Sequence, residues 1–152
     1  MSFIKTIMAA IDFSKYSPPT ARYASQMAKA LDSELLFVNV INQRDIDTVQ
    51  RIMASYETFK MDQFMKERMR ARHEEMEALI KSSDAGGAKT RTIVRVGVPY
   101  QQLLAVIEEE KPDLLIMATK GRSDIIDVVM GSCARIMQRR CPIPVLSIRN
   151  GL

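Results

Sequence analysis

A chain of 152 residues is long enough for one domain of ordinary size with a substantial core. Its 47% hydrophobic and 26% charged residues are the composition of a soluble globule, which excludes a fibrous or disordered chain. The net charge of +4 is spread over interleaved basic and acidic residues, with no arginine-rich tract or aromatic–basic alternation, so it reads as solvated surface and excludes a nucleic-acid footprint.

The first apolar run, Phe3–Ile11, predicts a strand that ends in Asp12-Phe-Ser14. Ser17-Pro18 then offers a cap and a first-turn proline to a helix with Ala21, Ala24, Met27, Ala28 and Leu31 on one face. A second strand is expected over Glu34–Ile41. From about Asp45 to Ser83 the rhythm changes to a long amphipathic helix, preceded by a short one. Five methionines (Met53, Met61, Met65, Met69 and Met76) fall here, and lining the core is the commoner use of such a stripe than serving as a docking surface. Ser82-Ser-Asp-Ala-Gly-Gly87 marks a loop before a third strand, Arg91–Val96.

Gly97-Val-Pro99 opens a helix with Leu103, Leu104 and Ile107 on its apolar stripe, closed by Lys111-Pro112. Leu114–Ala118 is a fourth strand, Gly131-Ser132 starts a helix carrying Cys133, Ile136 and Met137, and Pro144–Ile148 is a fifth strand. Strands alternating with helices predict an α/β fold: one domain over residues 1–152, an open parallel five-stranded sheet with helices on both faces. No apolar run approaches the ~18 residues of a membrane span, and the opening residues lack a cleavage site, so a cytoplasmic protein is expected. Cys133 and Cys141 lie eight residues apart and His73 is the single histidine, which is too few ligands for zinc. Just inside a helix start, the Cys133 thiol is either slightly acidified or simply a small core group, the second being commoner.

Chemistry concentrates after the fourth strand. Gly121 lets backbone approach a ligand closely, and Gly131-Ser132 puts N–H groups and a hydroxyl at a helix N-terminus, where an anion such as phosphate is favoured. The same residues also serve a turn and a helix cap, so the stretch alone leaves the two roles open. In open parallel sheets ligands sit beyond the carboxyl ends of strands where the winding reverses. That would bring together Ala9–Ser14, Asn39–Ile41 and Met117–Gly121.

These stretches resemble the universal stress protein family. The likeness runs from the opening Ile-Met-Ala-Ala-Ile-Asp-Phe-Ser through Val-Gly97-Val-Pro99 and Asp113-Leu-Leu-Ile-Met to the closing Cys141-Pro-Ile-Pro-Val-Leu-Ser-Ile. The family's nucleotide-binding branch carries a loop Gly-x2-Gly-x9-Gly-Ser/Thr, and here it stands as Ala118-x2-Gly121-x9-Gly131-Ser132, with Ala118 in place of the first glycine. The resemblance implies a Rossmann-like sheet of strand order 3-2-1-4-5 that binds ATP or AMP, with or without Mg²⁺. It further implies a homodimer through the C-terminal strand and a role in stress response or signalling with a partner the sequence does not identify. Carried over, Ala10, Ile11 and Asp12 would line the ribose and adenine wall, Val40 would pack on adenine, and Met117 would lie beside the sugar. Ala118 would sit near the ribose or phosphates, and Gly121, Arg122, Gly131 and Ser132 would hold the phosphates through N–H groups, a cation and a hydroxyl. Asp12 equally suits capping of its own turn, and Val40 plain core. Catalysis beyond slow ATP hydrolysis is not expected, because no carboxylate set for Mg²⁺ and no Gly-x4-Gly-Lys-Ser/Thr loop is present. The competing reading is a nucleotide-free interaction protein working through its dimer and helix surfaces.

Overall fold

The computed structural model describes residues 3–83, 87–121 and 130–149. Ten elements follow one another: β1 (Thr6–Ala10), α1 (Ser17–Leu31), β2 (Glu34–Asn42), α2 (Gln43–Met53), α3 (Met61–Ser82), β3 (Thr90–Gly97), α4 (Pro99–Glu110), β4 (Leu114–Ala118), α5 (Ser132–Arg140) and β5 (Val145–Ile148). All neighbouring strands are parallel, in the order β3-β2-β1-β4-β5. The sheet is the expected one, and β1 is the strand at which the winding reverses.

Side chains alternate across the sheet, so each strand feeds two cores. On one face Ile7, Ala9, Leu35, Phe37 and Ile116 pack with Ala21, Ala24 and Ala28 of α1 and Met76 of α3. On the other, Met8, Leu36, Val38, Leu115 and Met117 pack with Leu103, Val106 and Ile107 of α4 and Ala134 and Met137 of α5. Burial on both faces explains why the central strands read as unbroken apolar runs. The methionine stripe serves packing. Met76 is wholly buried, and Met61, Met65 and Met69 lean with Phe64 on a smaller cluster of Ile41, Ile46 and Val94. Among the described residues no helix is long and apolar enough to cross a membrane.

Three local expectations are corrected. The first strand begins at Thr6, not Phe3, because Asp113 Oδ2 accepts from the backbone N–H groups of Lys5 (2.8 Å) and Thr6 (3.0 Å) before the ladder starts, and Phe3 is 87% exposed. The last strand begins at Val145, since Pro144 has no N–H to donate and contributes only its carbonyl, to Leu115 N. Ser17 does not cap α1: it is the first helical residue, Tyr16 holds the cap position, and the Ser17 hydroxyl donates to Asp12 instead. Pro99 does stand in the first turn of α4, and Lys111, with φ 50°, ends that helix by returning its N–H to Ile107 O.

Candidate functional site

The carboxyl ends of β1, β2 and β4 surround a cavity of about 410 Å³. Such a cleft at the reversal of an open parallel sheet is where this architecture binds small molecules. Of the residues singled out in the sequence, Ala10, Ile11, Asp12, Val40, Met117, Ala118, Gly121, Gly131 and Ser132 all line it. Arg122, with Asp124, lies outside the described residues.

Asp12 follows β1 and is half-buried. Its Oδ1 accepts from Ser14 N (3.0 Å) and from the Ser17 hydroxyl (3.2 Å), which ties the turn to the first residue of α1. The turn-capping role is therefore real for one oxygen. Oδ2 faces the glycine loop so closely that a Cβ on Gly121 would overlap it. Phe13, next in the chain, adopts φ 60°, an uncommon left-handed conformation for a side-chain-bearing residue, and so reverses the chain sharply behind Asp12.

On the opposite side, Gly131 caps α5 and Ser132 is its first residue. Gly131 N–H was expected to meet phosphate. It instead donates to Thr119 O at 2.6 Å, closing the loop back on β4. The first intrahelical bond runs from Arg135 N to Gly131 O, which leaves the N–H groups of Ser132, Cys133 and Ala134 without an intrahelical acceptor. All three residues line the cavity, so the helix end with its partial positive charge opens onto it. Gly131 has an ordinary extended conformation, and a Cβ there would meet its nearest protein atom, Thr119 O, at 3.5 Å. Among the described residues nothing stands closer than ordinary van der Waals contact to a Cβ at this position. Any demand for glycine comes from what enters the cleft.

The wall under the strand ends is apolar, with Ala10, Val40 and Met117 joined by Pro99 and Leu103 of α4. Of the two readings of Cys133 the packed one fits: it leans on the core, and burial, then the neighbouring Asp12 charge, push its thiol up to about 11. Sequence reasoning missed Tyr16, Thr20 and Arg72, which line the α1/α3 side of the cleft, and named Asn39 only as part of the Asn39–Ile41 stretch without giving it a role. Asn39 had a readable signal, as the one amide inside the apolar run of β2. Arg72 had none, being one of many charges on α3. Among the described residues no three His, Cys, Asp or Glu gather in a metal-holding group.

A doubly covered parallel sheet with a helix N-terminus opening onto the cleft at its switch point defines the class, an open doubly wound α/β protein. The chain belongs to the universal stress protein family, whose description it matches over residues 4–149. It is 23% identical over 155 residues to the universal stress protein MJ0577 of Methanocaldococcus jannaschii, spanning 96% of this chain and 95% of that one. The fold is also that of the solved MJ0577 structure (TM-score 0.81, 21% identity, 97% and 96% of the two chains). It is shared by a universal stress protein solved in complex with cAMP (TM-score 0.64, 22% identity, 96% and 97% covered). A third, from Archaeoglobus fulgidus in complex with dAMP, superposes with TM-score 0.62 at 14% identity, covering 98% and 100%.

Proposed function

We propose that this chain binds an adenine nucleotide, ATP or AMP, in the strand-end cleft, and that occupancy alters its shape or partners in a stress response. The observation that carries the reading is the opening of the α5 N-terminus, with its unpaired N–H groups and the Ser132 hydroxyl, onto a cavity whose floor is apolar. Phosphates belong at Gly121, Ser132 and the first turn of α5, with Arg122 as an added cation. The base and sugar belong at the strand ends, between Ala10, Val40 and Met117 on the α4/α5 side and Ile11 on the α1/α3 side, with Ala118 at the loop entrance. Asp12 Oδ2 is placed to accept a ribose hydroxyl. The family members with cAMP and dAMP bound support an adenine ligand. Mg²⁺ would enter only with a polyphosphate, because Asp12 and Asp45 are the carboxylates among the described lining residues. The role is ligand sensing, with hydrolysis slow at most.

Mass spectrometry of gently purified protein, followed by titration with ATP and AMP, tests this. Copurifying nucleotide and saturable binding are expected; clean apo-protein that takes up neither leaves the nucleotide-free interaction protein. We further infer a homodimer through β5, which forms one edge of the sheet and presents half-buried Val145, Leu146 and Ser147. Sedimentation at micromolar concentration should give a dimer that Val145→Pro dissociates. A monomeric wild type removes the idea.

A further inference from the structure

The α1/α3 side of the cleft carries two polar atoms that no group among the described residues satisfies. By strand alternation Asn39 follows Leu35 and Phe37 onto this face, whereas Val40 follows Leu36 and Val38 onto the other. Asn39 is 3% exposed, and its Nδ2 donates to Ile11 O at 2.8 Å. That bond fixes the amide orientation and leaves Oδ1 as a buried acceptor without a partner. Arg72 reaches the same cavity from α3 at 9% exposure. Its Nη1 holds Glu75 at 3.2 Å and its guanidinium lies 5.3 Å from the centre of the Phe13 ring, while Nε, a donor, has no partner.

Buried donors and acceptors are nearly always paired, because each unmet group keeps its full desolvation cost. Here one of each sign, from elements 33 positions apart in the chain (39 and 72), lines one cavity wall. A ligand group that carries both a donor and an acceptor supplies what the two atoms lack. The long Arg72 side chain, tethered among the described residues by the half-exposed Glu75 and the Phe13 face, can make the small adjustment contact needs.

We propose that Asn39 and Arg72 read the edge of the bound base, the exocyclic amine donating to Asn39 Oδ1 and a ring nitrogen accepting from Arg72 Nε. This rests on the nucleotide reading above and adds to it a base-selecting pair that the glycine loop does not supply. The amine beside an unprotonated ring nitrogen is the pattern of adenine.

Calorimetric titration with AMP and with purine riboside 5′-monophosphate, which lacks the amine, tests it. Wild type should favour AMP about tenfold, and Asn39→Val should bring that ratio towards one. Arg72→Met should weaken both ligands about tenfold, with Arg72→Lys restoring part of the loss. Ser132→Ala, acting on phosphate, should weaken both equally and leave the ratio alone. An unchanged ratio in folded Asn39→Val, or unchanged AMP affinity in Arg72→Met, overturns the assignment and leaves the two atoms to an ordered water. Should Asn39→Val not fold, the Arg72 pair decides. If wild type binds neither of these compounds nor ATP, the nucleotide reading falls and this one with it.

Discussion

The two sides of the cleft are built from different materials. On the α5 side the wall is backbone: Gly121, Gly131 closing on Thr119, and three N–H groups at a helix end. On the α1 side it is side chains that hold one another, Asp12 with Ser17 and Arg72 with Phe13 and Glu75, while the Thr20 hydroxyl donates to the backbone carbonyl of Tyr16. A backbone wall binds whatever phosphate it meets and is indifferent to the rest of the ligand. A side-chain wall can discriminate, but each member depends on its neighbours. The first should therefore govern affinity, and the second selectivity.

The largest effect should come where the two walls touch. A methyl in Gly121→Ala would overlap Asp12 Oδ2, so the carboxylate must turn away and give up Ser14 N or the Ser17 hydroxyl. The same methyl stands where backbone must approach phosphate. With Asp12 turned from the ribose and the phosphate held off, two charge-assisted ligand contacts are lost, about 3 kcal/mol or more and so roughly a hundredfold in ATP affinity by calorimetry. Wild-type affinity in this variant would separate the walls and take the loop out of the site. Ser132→Ala removes one hydroxyl and leaves the helix end intact, so the loss should be about tenfold.

How much of this was readable follows from the same contrast. The β4 bounds, Leu114–Ala118, were legible because a strand covered on both faces must be apolar throughout. Gly121 and Gly131 were legible as cavity-lining positions because backbone walls need small residues, although the bond of Gly131 N–H to Thr119 O was not. The start of β1 was not, since Asp113, more than a hundred positions away, decides it. Arg72 was hidden among the solvated charges of α3, and only packing of that helix on α1 and β3 brings it to the cleft. Phe13 carried no mark of its role in the sequence, and only the structure shows the φ of 60° with which it follows Asp12. Side-chain walls are assembled by tertiary structure, and sequence spacing does not record them.

Cys133 sits between the walls, and its pH dependence sharpens the contrast. The thiol is pushed up to about 11 by burial first and by Asp12 second, so the folded chain keeps a proton that the unfolded chain loses near 9.0. Its contribution is complete below the unfolded value and is lost as pH rises from there towards about 11, where proton binding favours the folded state. Urea midpoints from pH 8 to 11 should fall more steeply in wild type than in Cys133→Ala. Alkylation of Cys133 at pH 8 should be slow and slower still with ATP present. Rapid alkylation with parallel pH profiles would place the thiol outside the buried wall.

The smallest effect tests whether the backbone wall is already as close to its ligand as it can be. Ala118 ends β4, is half-buried, and stands where the family's loop has its first glycine. Its N–H is part of a strand terminus, the next residue's N–H being bonded to Ile148 O at 2.9 Å, so removing the methyl does not alter the ladder. Ala118→Gly should cost about 0.5–1 kcal/mol of stability through added freedom of the unfolded chain, read as a drop of a few degrees in melting temperature. If the methyl presses on the ribose or phosphates, ATP affinity should rise up to a few-fold in spite of that loss. If affinity falls while the fold persists, the methyl is packing against the ligand, and the alanine is part of the binding surface of this chain.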